Sequence, residues 1–83
     1  MIITKFIDNI KNFLFDKDEY LTFFDNNVHI YGLEEVITLS DTLIKVITKK
    51  KTISITGKKI MILKLTKEEL LINGIFEGIT FND

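Results

Sequence analysis

The 83-residue chain reads as a mainly β domain. The expected architecture is an antiparallel meander of seven to eight short strands, closed as a roll, sandwich or half-barrel, with a short amphipathic α-helix at its N-terminus. Three observations predict it. From Tyr20 onward apolar residues recur with a period of two, most cleanly in Thr52-Ile53-Ser54-Ile55-Thr56. Turn signals punctuate this stretch about every eight residues. Ile, Val, Thr and Phe are abundant, and with no proline no strand is interrupted by one.

The first element differs in period. Ile3, Phe6, Ile7, Ile10, Phe13 and Leu14 recur at three- and four-residue steps, with Thr4, Lys5, Asp8, Asn9, Lys11 and Asn12 opposite. That spacing predicts a helix over 1–16, capped near Thr4 and ended by Asp16-Lys17-Asp18. Its apolar face, Phe6, Ile10 and Phe13 among it, is suited to cover the domain's own sheet or to dock on another protein. Two lysines against one aspartate on the polar face make a poor membrane-surface helix.

The β-meander spans 20–82. Its turn signals are Asp25-Asn26-Asn27, Gly32 to Glu35, Ser40-Asp41, Lys49 to Lys51, Gly57-Lys58-Lys59, Thr66-Lys67-Glu68 and Asn73-Gly74. Val28-His29-Ile30-Tyr31-Gly32, Ile53-Ser54-Ile55-Thr56-Gly57 and Leu70-Leu71-Ile72-Asn73-Gly74 share one pattern, but their spacing is uneven, so they mark strand turns or bulges rather than a repeat. Asn73-Gly74 fits a hairpin; Gly78 close behind fits a bulge or sharp bend instead. Leu43-Ile44, Val46-Ile47 and Ile60-Met61-Ile62-Leu63 with Leu65 are apolar on both faces. Each buried Ile or Leu contributes about 1.5–3 kcal/mol, so these strands need cover from the helix, a second layer of the sheet or another chain.

The length suits a single domain, 1–83, with a thin core. Disulfides are excluded, since there is no cysteine, and one histidine leaves little for metal binding. Association with another copy or with a partner protein is the remaining support. Lys5, Asp8 and Lys11 break any signal-peptide core, and no apolar run approaches a membrane span, so a cytoplasmic protein is expected. The net charge of −1 is uneven. Residues 1–41 hold three lysines and eight acids (3 − 8 = −5), and 42–83 hold eight lysines and four acids (8 − 4 = +4). A solvated surface explains this split; it also permits head-to-tail association.

Catalytic signatures are missing. His29 lies inside a strand pattern, and Ser40 or Ser54 would have to join it without any local motif. An EF-hand begun at Asp16 would place Tyr20, Leu21 and Asn27 where an oxygen ligand, glycine and glutamate belong. Gly57-Lys58-Lys59 lacks the remainder of a phosphate loop. The chain is read as a non-enzyme without a cofactor or metal. Lys49, Lys50, Lys51, Lys58 and Lys59 are expected to gather across a hairpin as a basic patch, which gives an alternative function: binding nucleic acid or anionic lipid. Without arginine and at a pI near 5.8, nucleic acid is not the expected partner. Edge lysines also guard strands against unwanted pairing.

The strings Val28-His29-Ile30-Tyr31-Gly32-Leu33-Glu34-Glu35-Val36-Ile37-Thr38-Leu39-Ser40-Asp41, Leu43-Ile44-Lys45-Val46, Ile53-Ser54-Ile55-Thr56-Gly57-Lys58-Lys59-Ile60-Met61-Ile62, Glu68-Glu69-Leu70-Leu71-Ile72-Asn73-Gly74-Ile75-Phe76 and Ile79-Thr80-Phe81 together resemble the YabP/YqfC family of bacterial sporulation proteins. The likeness covers about residues 20–82. It departs from the family in having no proline between helix and first strand, and Gly32-Leu33 where a pair such as Asn-Tyr is common. The resemblance implies a role in endospore formation in the mother cell, peripheral to the forespore membrane, beside a sporulation membrane protein as partner. It supplies no catalytic residues, and implies protein binding or self-assembly.

Overall fold

The computed structural model describes residues 2–3, 11–16, 19–49 and 51–82. They form one antiparallel sheet. Its strands are β1 (Ile2–Ile3), β2 (Lys11–Asp16), β3 (Glu19–Phe24), β4 (Asn27–Tyr31), β5 (Leu33–Leu39), β6 (Leu43–Thr48), β7 (Thr52–Leu65) and β8 (Glu69–Asn82). The order is β2-β3-β4-β8-β7-β6-β5, with β1 on β8.

Two expectations change. Residues 2–3 and 11–16 are strand rather than helix, while 4–10 lie outside the described residues. The reason lies in the ladder: Lys11 to Asp16 pairs with Glu19 to Phe23, and a neighbouring strand that supplies backbone partners overrides a helical apolar period. The stretch 20–82 also holds six strands, because β7 and β8, 14 residues each, run on through one turn signal apiece, Gly57-Lys58-Lys59 and Asn73-Gly74.

Those signals mark bends. Opposite Gly74 the β7 strand carries one extra residue, Lys59 and Ile60 standing between Lys58 and Met61; β8 carries Glu77 as an extra residue between Phe76 and Gly78, and β7 carries Leu63. The bend is also where other backbone is received. The Gly57 N–H donates to the Thr42 carbonyl (3.0 Å), the Ile60 N–H to the Asp41 carbonyl (2.9 Å) and the Gly74 N–H to the Asn26 carbonyl (3.0 Å). A Cβ on Gly57 would overlap the Ile75 carbonyl oxygen, and one on Gly74 would stand 2.9 Å from the Ile60 Cα. Only glycine lets the two strands cross this closely. Lys59 there takes a left-handed φ of 55°, at a cost of about 1–2 kcal/mol for an L-residue.

The bent hairpin divides the sheet into two layers. One is β2-β3-β4 with the first half of β8 and the second half of β7; the other is the first half of β7 and second half of β8 with β6, β5 and β1. The link from β4 to β5 demands the curl. Three strands separate β4 from β5 in the order, about 19 Å across a flat sheet at some 4.8 Å per strand. The chain covers this with Gly32 alone, at φ 93°, and two Cα steps reach about 7 Å. The sheet therefore rolls until its β5 edge returns beside the β7–β8 turn, where Gly32 and Leu33 N–H groups donate to the Glu68 carbonyl.

Alternation fills the space between the layers. Leu21 and Phe23, Val28 and Ile30, Ile44 and Val46, Ile53 and Ile55, and Leu70, Ile72, Ile79 and Phe81 are buried at every second position, joined by Leu33 and Ile60. The buried Thr48 hydroxyl is satisfied by the Lys51 backbone. The β3–β4 turn uses Asp25 and Asn26 at φ 46° and 61°, as a two-residue hairpin requires.

Ala at Gly57 is expected to cost about 1–3 kcal/mol in urea unfolding, since its obstacle is backbone that cannot rotate away. Gly74→Ala should cost less, one of its neighbours being the Ile60 side chain. The exposed Glu35→Ala should stay within about 0.5 kcal/mol of wild type.

Candidate interaction surface

The strict in-out alternation stops at Ile60. Beyond it, β7 leaves β6, whose pairing ends at Thr56, and continues with β8 alone. Met61, Ile62, Leu63 and Leu65 are consequently open to solvent, from 45% to 61% exposed. The sequence calls for cover on both faces of these strands, from the helix, a second layer of the sheet or another chain. Leu43 and Ile47 on β6 are half-buried, but among the described residues no strand pairs with the outer edge of the end of β7. An uncovered edge of this kind offers backbone groups and apolar side chains together, the two components of strand-mediated protein binding.

The outer face next to this edge is polar and aromatic. Tyr20 stacks on Tyr31 (ring centroids 5.4 Å apart, 14° between planes) and meets His29 edge-on at 5.8 Å. The pairings Tyr20↔Tyr31 and Tyr31↔Glu69 set these groups side by side across β3, β4 and β8. His29 Nε2 lies 3.3 Å from Glu69 Oε2, Lys64 Nζ contacts the other oxygen, and the Tyr31 hydroxyl donates to Glu68 at 3.0 Å. The lysine bond, then the histidine bond, holds the Glu69 carboxyl below the ordinary glutamate range. With Phe24 and Leu71, these three residues line a shallow depression.

This arrangement ties β3, β4, β7 and β8 together on the outer face. His29 is engaged by Glu69. The Ser40 hydroxyl donates to the Leu43 carbonyl and accepts from the Thr42 and Leu43 N–H groups within its own turn. Ser54 sits mid-strand between Lys45 and Thr80. Among the described residues no group of three metal-ligating side chains gathers, and no helix is long and apolar enough to cross a membrane.

The lysines expected to form one patch are separated. Lys49 and Lys51 flank the β6–β7 turn, whereas Lys58 and Lys59 lie at the bend beside Asp41 and Thr42. Residues 52–57 intervene, about 20 Å of strand. Lys50 lies outside the described residues. Lys58 is 3.6 Å from Glu77, which offsets its charge. Of the apolar residues assigned to the N-terminal face, Phe6 and Ile10 lie outside the described residues, and the Phe13 backbone pairs with Leu21. The Tyr20-His29-Tyr31-Glu69-Lys64 cluster escapes a sequence reading because its members come from four strands. The one signal pointing to the edge was the doubly apolar run from Ile60 to Leu65.

No family model, no curated protein and no solved structure matches the chain.

Because Glu69 binds its proton less readily when folded, its contribution to stability is complete above the ordinary glutamate pKa and fades as pH falls through and below it. Glu69→Gln is expected to flatten that part of the acid-unfolding profile while leaving the neutral-to-basic part unchanged. An identical acid limb in the two proteins would show that the ion pairs carry nothing.

Proposed function

We propose that this chain is a non-enzymatic protein-binding and assembly module acting in endospore formation, docked on a membrane-protein partner at the forespore membrane from the mother-cell side. The sporulation role and the partner rest on the resemblance to the YabP/YqfC family. The binding role rests on one observation: Met61, Ile62, Leu63 and Leu65 stand open on a strand edge that β6 has left. A domain with a thin core loses stabilisation by exposing such residues, and a partner strand or face laid against them recovers it. The engagement of His29 and of the Ser40 hydroxyl in structural bonds supports a reading without a catalytic step. The separation of the lysine groups along β7 favours this reading over the lysine-patch alternative.

Deleting the coding sequence from a spore-forming host should lower the yield of heat-resistant spores, and the wild-type chain should restore it. The double variant Met61→Lys, Leu63→Asp is expected to remain folded, these side chains being exposed, yet fail to restore the yield. Normal sporulation without the chain would end the proposal.

A further inference from the structure

Two edges of the rolled sheet, β5 and the second half of β7, border one opening. The N-terminal end of β5 is tied to the β7–β8 turn through the Gly32 and Leu33 bonds to Glu68, at 2.9 and 3.0 Å. Its far end is tied to the β7 bend, where the Ile60 N–H reaches Asp41 at 2.9 Å. Between these ties β5 pairs with β6 and residues 61–65 of β7 pair with β8, but the two do not pair with each other. Among the described residues the roll thus has a seam, tied at both ends and unpaired in the middle. Ile37 stands exposed on one lip; Ile62, Leu63 and Leu65 stand exposed on the other.

The lips are opposite in charge. Residues 33–41 carry Glu34, Glu35 and Asp41 and no base, whereas 58–67 carry Lys58, Lys59, Lys64 and Lys67 and no acid. Glu77 and Glu69 offset Lys58 and Lys64, so the excess on the β7 lip comes from Lys59 and Lys67 at its two ends. Lys59 holds its place in a left-handed conformation that glycine would adopt without cost.

We infer that a second copy of this chain seats across the seam, the acidic β5 lip of each copy against the basic β7 lip of the other. The inference rests on the assembly part of the role proposed above and gives the open edge to a second copy, which leaves the membrane-protein partner to another face. Like lips together would set Glu34 and Glu35 against their own equivalents and lysine against lysine, a repulsion that crossed lips replace with attraction. Related by a two-fold axis, crossed lips use both edges of both copies, so the contact closes as a dimer and does not propagate. The apolar residues of the seam are then shielded together, the remedy a domain of this size otherwise lacks.

Sedimentation of the full chain across about 1–100 µM tests this. The wild type should dimerise, more weakly as salt rises. The variants Glu34→Lys, Glu35→Lys and Lys59→Glu, Lys67→Glu should each, alone, raise the dimer dissociation constant about tenfold or more. An equimolar mixture of the two should return it to within about threefold of wild type. Unchanged circular dichroism would confirm that both variants are folded. A wild type that stays monomeric, a dimer indifferent to either charge set, or a mixture that fails to recover would each overturn the inference. A monomeric wild type still needed for sporulation would remove the dimer and leave the function; a dimer dispensable for sporulation would do the reverse.

Discussion

The close crossing of two long strands at Gly57 and Gly74 is the constraint on which this fold depends. Each glycine faces backbone of the opposite strand, and the N–H groups of Gly57, Ile60 and Gly74 donate hydrogen bonds to carbonyls of the β3–β4 and β5–β6 turns. A bend there lets one hairpin serve two layers. Without it, β7 and β8 would run flat, and the single residue linking β4 to β5 would be far too short to reach the opposite edge. The curl and the seam both follow from the crossing.

The bend also decides what stays open. Beyond it, β7 parts from β6 and carries its apolar residues out of the core. The same departure separates the lysines at the β6–β7 turn from those at the bend. Basic charge that looks continuous along the chain is thereby divided, and part of it becomes the rim of an apolar edge that faces an acidic strand. The ion pairs and stacked rings around His29 and Glu69 anchor β3, β4, β7 and β8 on the outside of that edge. They hold the lip in position while leaving it accessible.

Much of the β architecture is legible residue by residue. Val28 and Ile30, Ile44 and Val46, Ile53 and Ile55, and Ile79 and Phe81 are buried at the alternate positions their period indicates. Asp25-Asn26 forms the turn its composition suggests. Gly57-Lys58-Lys59 and Asn73-Gly74 were legible only as interruptions. The same residues suit a tight turn or a bulge, and the choice depends on which backbone arrives to bond with Gly57, Ile60 and Gly74 from distant turns. At 11–16 a helical spacing of apolar residues gave way to a strand, because the pairing with β3 supplies backbone partners that local spacing does not register.

From the amino-acid order alone came the β class, the period-two core, the excess of apolar residues over what one sheet face can hide, and the division of charge between the two halves of the chain. These are properties of short windows and of composition, set by side-chain chemistry and strand geometry. Only the tertiary structure decided where the excess went: onto the free end of β7, across an opening from β5. Strand order, bends and edges arise from pairings between residues far apart in the chain, and no local window contains both members of such a pair.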